Sequence, residues 1–260
     1  MRKFLVESAL LTHGLVSVSQ EELRSLWPAE IDCIAWVDQG RVIIGPMEQF
    51  LPFRQRAAEL CRISWEDLPG ALEKGVSGAL TASGTMAVCQ QMGLSLAVTC
   101  GMGGIGDIKG EELCPDLPAL RDIPVALIST SPKDMLDIAA TIHWLTEAGV
   151  RVLGIGTDRC TGYIFSSADV PLSGALAGGK LPADCGRLLL LNPIPEKERI
   201  QDLSLLAQGI AAGKQAEAEG RYYHPAANAA FDRLTGGLSS RIQLRSIIAN
   251  AQLAQALTNP

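Results

Sequence analysis

Short runs of β-branched and aliphatic residues alternate along this chain with longer stretches whose apolar positions recur three and four residues apart. The runs Ile34–Val37, Val42–Ile44, Leu94–Val98, Val125–Ile128, Val150–Ile155 and Leu188–Leu191 have the length and composition of buried strands. Met1–Leu11 is expected to be a buried first strand, interrupted by Glu7. Met47–Cys61, Ala82–Met92 and Asp134–Ala148 carry helical spacing, and Ser64–Leu72 opens on a capping serine followed by acidic residues. The alternation predicts an α/β architecture: one domain over residues 1–260, with a mixed β-sheet flanked by helices on both faces. The sheet is expected to be mixed because Asp38-Gln39-Gly40 has the chemistry of a tight hairpin turn. Beyond Pro193, Pro195 and the charged stretch Glu196–Arg199, helices over Ile200–Glu219 and Ile242–Leu257 should cover the sheet. Gly174–Gly179 reads as a flexible surface loop.

Composition narrows the class. The chain is 47% hydrophobic and 19% charged, with 26 Gly and 14 Pro, which suits buried strands and tight turns and argues against disorder. A net charge of -6 without a basic block argues against a nucleic-acid polymer as partner and for a small molecule. Seven cysteines at irregular spacing, with no CxxC pair, form neither a disulfide framework nor a zinc site and fit a reducing cytoplasm. No apolar stretch reaches the roughly 18 residues that span a membrane, and no cleavage-like site follows Met1–Leu11. The expectation is therefore a cytoplasmic protein.

Five regions carry candidate chemistry. Thr99-Cys100-Gly101-Met102-Gly103-Gly104-Ile105-Gly106 follows a buried strand; glycines there either let backbone amides cradle a phosphate or make a tight strand exit with no ligand. The helix start near Ala82-Ser83-Gly84-Thr85 is a second candidate anion site, through free amides and the helix dipole. Glu7, inside an apolar strand, is either a general acid whose proton is retained by desolvation or a strand-end carboxylate facing solvent. Lys133, after the strand Val125–Ile128, is either an amine nucleophile at a strand end or a solvated lysine in the first turn of a helix. Glu111, Glu112 and Asp116 form a carboxylate cluster able to hold a hard divalent cation or simply to sit in a solvated loop. Of the histidines, His143 reads as a helix-face residue and His13 as the one near a site.

These features fall in an order that resembles the pseudouridine-5′-phosphate glycosidase family, also called indigoidine synthase A-like proteins. The matching segments are Val6–Gly14, Arg62–Pro69, Thr99–Gly104, Pro132–Asp137, Gly154–Asp158, Asn192–Glu196 and Leu234–Gly237. The resemblance implies a lyase that cleaves, or reversibly forms, the C–C bond between ribose 5-phosphate and a base, with a divalent metal, usually manganese, in a homotrimer. It implies Lys133 as nucleophile and Glu7 as proton donor. Arg62 stands where a phosphate-side lysine is usual, Glu112 where the metal aspartate is usual, and Cys114 and Asp116 in the substrate-binding segment after it. Ala82, Thr99, Gly103 and Gly104 are the other implied substrate contacts. The His-Arg-Gly usual after the glycine turn is replaced by Gly106-Asp107, and an asparagine usual after Leu234-Thr235-Gly236-Gly237 is missing, with Arg241 in that neighbourhood. Base recognition is therefore expected to differ, with Arg241 facing an aglycone that carries negative charge. The alternatives are a relative that binds a sugar phosphate without turnover and a lysine-imine enzyme acting on another C-nucleotide in biosynthesis.

Overall fold

The computed structural model describes residues 2–177, 180–182 and 184–258. In chain order the strands are β1 (Leu5–Val6), β2 (Ile34–Asp38), β3 (Arg41–Gly45), β4 (Cys61–Ile63), β5 (Gly78–Leu80), β6 (Leu96–Val98), β7 (Gly101–Met102), β8 (Ala126–Ser129), β9 (Ser131–Pro132), β10 (Arg151–Gly154), β11 (Arg159–Cys160), β12 (Val170–Pro171), β13 (Gly174–Ala175) and β14 (Leu188–Leu191). The helices are α1 (Gln20–Leu26), α2 (Met47–Arg54), α3 (Leu68–Glu73), α4 (Ala82–Gln91), α5 (Asp116–Asp122), α6 (Ile138–Glu147), α7 (Leu203–Ala218), α8 (Tyr223–Leu234) and α9 (Leu238–Thr258).

Ten strands make the main sheet, in the order β13-β10-β14-β8-β6-β1-β2-β5-β4, with β3 also paired to β2. From β13 to β2 every pairing is parallel. Strands β6, β8 and β14 are buried along their whole length, which explains why they read as unbroken apolar runs and not as alternating ones. One helical layer, α4–α5–α6, and another, α7–α8–α9, cover the sheet, and α4 and α9 both pack on β6 and β8. The expected mixed sheet with helices on its faces is what forms.

The antiparallel part lies where the sequence placed a hairpin. Asp38 pairs with Arg41, and Gln39 and Gly40 both adopt positive φ (49° and 70°), the geometry of a two-residue turn. A side chain at Gly40 would also meet the Leu72 carbonyl at 2.6 Å.

The arrangement that creates a site is a seam on one edge of β2. Strand β1 pairs with its start (Val6 with Ile34), and β5 pairs antiparallel with its end (Trp36 with Ala79). The two strands therefore meet end to end with their carboxyl ends abutting. Ser8 closes the seam: its hydroxyl donates to the Ala35 carbonyl (2.6 Å) and accepts from the Leu80 amide (3.0 Å), and its own amide donates to the Leu80 carbonyl (3.3 Å). Glu7 and the start of α4 thus emerge side by side from segments 75 residues apart in sequence (82 − 7 = 75). From above, Asn250 of α9 donates to the Thr99 carbonyl (2.8 Å) and the Thr130 hydroxyl (3.2 Å), fixing the ends of β6 and β8.

Several boundaries differ from the sequence reading. The first strand is only two residues long, and the chain turns at once into a π-helical turn, Leu10–Gly14. The helix beginning at Met47 ends at Arg54, just after an internal Pro52, and Cys61 belongs to a strand. Lys133 does not open a helix: Ser131-Pro132 pair with β7, and α6 begins at Ile138, where the Asp137 carboxylate accepts the Ala140 amide (2.8 Å). Gly174 and Ala175, expected in a flexible loop, add an edge strand to β10, while Gly178 and Gly179 lie outside the described residues.

Candidate functional site

At the carboxyl ends of β1, β5, β6 and β8 the chain encloses a cavity of about 560 Å³, lined by Glu7, Arg62, Ala82, Gly103, Asp116 and Lys133 among others. A ligand crevice at these strand ends is where an open α/β sheet is expected to have one.

Glu7 is fixed by its position one residue past β1, where its amide donates to the Val98 carbonyl (2.9 Å). Its side chain is buried, 6% exposed, so the solvent-facing alternative is set aside. Burial pushes its carboxyl up to about 7, against the opposing pull of the Thr99 hydroxyl and the Lys133 ammonium, with Asp116 adding a smaller upward push. The carboxyl is therefore half-protonated near neutrality.

Lys133 is half-buried in the loop after β9, its amide donating to the Met102 carbonyl (3.2 Å). The next residue anchors that loop. The buried Asp134 carboxylate accepts the amides of Tyr163 (2.8 Å), Ile164 (2.8 Å) and Phe165 (3.0 Å) and the Ser167 hydroxyl (2.5 Å). This one carboxylate holds the Lys133 loop and delivers Tyr163 to the cavity wall.

The glycine turn serves close packing. A Cβ at Gly101 would meet the Tyr163 ring at 2.7 Å, at Gly103 the Cys114 Sγ at 2.0 Å, and at Gly104 the Thr141 Oγ1 at 2.5 Å. Its amides are largely engaged within the protein: Gly103 donates to Asp116 (2.9 Å), Ile105 to Thr141 (2.9 Å) and Gly106 to the Glu112 carbonyl (3.3 Å). The geometry thus favours the strand-exit reading over the phosphate cradle, because the amides that an anion would need already have partners. Gly103 faces the cavity; Gly104 packs against Thr141 outside it. Thr99 is wholly buried and does not line the cavity; its hydroxyl lies near enough to the Glu7 carboxyl to oppose the effect of burial there.

Asp116 joins the turn to the candidate helix start. One carboxylate oxygen accepts the Gly103 amide and the other the Ser83 amide (3.0 Å). Asp116→Ala is expected to leave both buried amides unpaired and to lower stability by roughly 1–3 kcal/mol for each; an unchanged denaturant midpoint would contradict that bracing role. The Ala82 amide, at the first position of α4, has no intrahelical acceptor, and Ala82 and Arg62 both line the cavity.

Other expected residues sit elsewhere. Glu112 is exposed and outside the cavity, whereas Glu111 lines it. No three His, Cys, Asp or Glu side chains gather as a metal centre among the described residues, and both Asp116 oxygens already accept amides. Glu112 therefore brings no carboxylate to the cavity, and its neighbour Glu111 does. Cys114 lines the cavity, where burial and the neighbouring Asp116 push its thiol well above the usual range. Arg241 turns away to pair with Glu22 (2.9 Å) and does not reach the cavity. Gln243, two residues further along α9, does reach it, buried at 3%, and brings a carboxamide to the cavity. Arg241 and Gln243 point apart because residues two apart on a helix lie on different faces, a distinction that a neighbourhood in sequence does not make.

His13 is likewise not in the cavity; its Nε2 lies 3.1 Å from the Leu60 carbonyl. The histidine that lines it is His224, near the start of α8. The only sequence signal for His224 was its presence near the start of an amphipathic stretch before Leu234-Thr235-Gly236-Gly237.

The family model described as indigoidine synthase A-like protein matches residues 6–259. The pseudouridine-5′-phosphate glycosidase of Methylobacterium nodulans is 29% identical over 97% of this chain and 81% of its own length. That of Thermus thermophilus is 29% identical over 96% and 94%. Among solved structures, an indigoidine synthase A-like protein from Thermotoga maritima superposes with a TM-score of 0.81 at 17% identity, covering 99% of this chain and 94% of the other. The prealnumycin C-glycosynthase AlnA, in complex with ribulose 5-phosphate, superposes with a TM-score of 0.73 at 24% identity, covering 98% and 91%. These two likenesses concern the fold.

Proposed function

This chain belongs to the indigoidine synthase A-like family, and from that premise we propose that it breaks or forms the C–C bond between a ribose 5-phosphate unit and its aglycone through an imine on Lys133. The observation that carries the reading is the meeting of Glu7 and Lys133, from separate segments, in one cavity, with Glu7 held partly protonated at neutral pH.

In the cleavage direction the Lys133 amine attacks the anomeric carbon while Glu7 gives its proton to the departing ring oxygen, so the sugar opens. The nitrogen lone pair then forms the C=N bond as the bond to the aglycone carbon breaks, and that carbon takes up the proton the nitrogen has lost. One water hydrolyses the imine, the proton left on its nitrogen returns to the Glu7 carboxylate, and ribose 5-phosphate, the neutral aglycone with its new C–H bond and free Lys133 are released. Run backwards, the same atoms describe bond formation, so one site serves lyase and synthase directions alike.

Arg62 and Ala82 both line the cavity, and we assign them to the 5′-phosphate as a bidentate cation and a helix-start amide. Arg62→Ala is expected to raise KM for the phosphorylated substrate about 10- to 100-fold, from a charge-assisted hydrogen bond of roughly 1.5–3 kcal/mol. A KM that does not move would remove Arg62 from the phosphate contact. The reading as a whole is tested by product analysis of the purified protein with pseudouridine 5′-phosphate, in which free uracil and ribose 5-phosphate should appear together.

Among the described residues no helix is long and apolar enough to cross a membrane.

A further inference from the structure

Two buried charges that the scheme above does not use grip one bend of the chain, at residues 161–165. Asp134, the residue after Lys133, is 8% exposed, and Arg199, between β14 and α7, is 6% exposed. The Asp134 carboxylate accepts the amides of Tyr163, Ile164 and Phe165. Arg199 takes the bend from its other end, donating from Nη1 to the Thr161 carbonyl (2.9 Å) and from Nε to the Ile194 carbonyl (2.8 Å). The bend thus presents its amides to an anion and its leading carbonyl to a cation. Gly162 lets it close: φ is 107°, and a Cβ there would meet the Phe165 carbonyl at 2.5 Å and the Asp134 Oδ1 at 2.9 Å.

Burial works against both charges. It pushes the Asp134 carboxyl up and the Arg199 guanidinium down, and Asp134 is the foremost of the groups that oppose it at Arg199. Apolar packing of the same volume often holds a fold as well as two charges taken out of water. What the charges add is register, because the hydrogen bonds of both ends are satisfied together in one placement of the bend.

That placement reaches the cavity. Tyr163, buried at 4%, lines it, while Phe165 meets Phe231 of α8 edge-on at 5.4 Å between ring centroids. On the other side of Asp134 stands Lys133, whose amine is carried on a flexible four-carbon stem, so its reach is only as well defined as the backbone beneath it. We propose that Asp134 and Arg199 act together as positioning residues for the reaction at Lys133: they hold the bend from its two ends and through it fix the Lys133 backbone against the wall that carries Tyr163. The inference goes beyond the imine reading and rests on it for what the amine does, not for how it is held.

The test compares Asp134→Asn, Arg199→Met, their double variant and Ser167→Ala. The readouts are the single-turnover rate constant for borohydride trapping of saturating ribose 5-phosphate at Lys133, to which unfolded molecules contribute nothing, and the affinity for ribose 5-phosphate by calorimetry. Asp134→Asn should slow trapping about 10- to 100-fold, the scale of a misplaced reacting group, with the dissociation constant moved less than about 3-fold. Adding Arg199→Met to it should slow trapping no further, since both act through one bend. Ser167→Ala removes one hydrogen bond from the carboxylate, should slow trapping about 3- to 10-fold, and decides the matter if Asp134→Asn does not fold. An unchanged rate constant in folded Asp134→Asn, or failing that in Ser167→Ala, overturns the proposal. So do single effects that multiply in the double variant, or a lost affinity at an unchanged rate. Absence of an adduct in the unmutated chain would refute the imine reading, and hydrogen–deuterium exchange would still decide the clamp. Asp134→Asn or Arg199→Met should speed exchange in the peptides of Lys133 and Tyr163 together; faster exchange around Tyr163 with Lys133 unaffected overturns it.

Discussion

Lys133→Ala is expected to abolish turnover, with kcat falling by on the order of 10⁴-fold or more, as removal of a covalent nucleophile does. The size of the effect follows from the position of the amine. Lys133 lies in a loop fixed on both sides, by its own amide to Met102 and by the four hydrogen bonds that Asp134 accepts, and nothing else in the described cavity lining carries an amine. Arg62, the other cation there, stays protonated and is no nucleophile. Ligand binding should survive, because the contacts assigned to the phosphate come from other elements. A variant that retained a tenth of the activity would require a mechanism without the imine.

Glu7→Gln should lower kcat/KM by roughly 10²- to 10⁴-fold, the range for loss of a positioned general acid. The isostere keeps the shape of the buried side chain but has no acidic proton for the ring oxygen. In the unmutated protein the acid form is present below about pH 7, so kcat/KM should fall as pH rises through that value, and the residual rate of the variant should lose this limb. Stability moves the opposite way. The folded-state carboxyl titrates near 7 and an unperturbed glutamate near 4.5, so between these values the folded chain holds a proton that the unfolded chain has lost. Stability associated with Glu7 is thus fully present below about pH 4.5, declines as pH rises through the window, and is lower by roughly 3 kcal/mol above it. Glu7→Gln removes that penalty. It should melt above the parent at pH 8, with the difference closing towards pH 4.5. Equal melting temperatures at pH 8 would mean that Glu7 is solvated and ionised.

How much of this was legible in the sequence differs from element to element. The central strands were, because a strand covered on both faces leaves an unbroken apolar run, as at Leu188–Leu191 and Val125–Ile128. The hairpin was, because Gln39-Gly40 needs two positive φ values and the residues say so. Strands β4 and β5 were not: three residues each carry too little pattern, and they exist because β1 stops after two residues and leaves the rest of a β2 edge to be filled. At the site, Glu7 was a carboxylate inside an apolar strand and Lys133 a lysine after one, each with a solvent-facing alternative that the pattern alone left open and that the family resemblance weighed against. Asp116 looked like part of an acidic cluster, and only the tertiary structure shows it bracing two amides. His224, Asn228 and Gln243 were invisible as site residues, since the rotation of α8 and α9 against the sheet decides which of their faces meets the cavity.

The central claim is that Lys133 forms an imine with a ribose phosphate. Ribose 5-phosphate is incubated with the protein and sodium borohydride, and the digested product is mapped by mass spectrometry. The account predicts one reduced, covalently attached sugar phosphate on the peptide that contains Lys133, absent from Lys133→Ala. Adducts scattered over surface lysines with Lys133 unmodified, or no adduct at all, would contradict it.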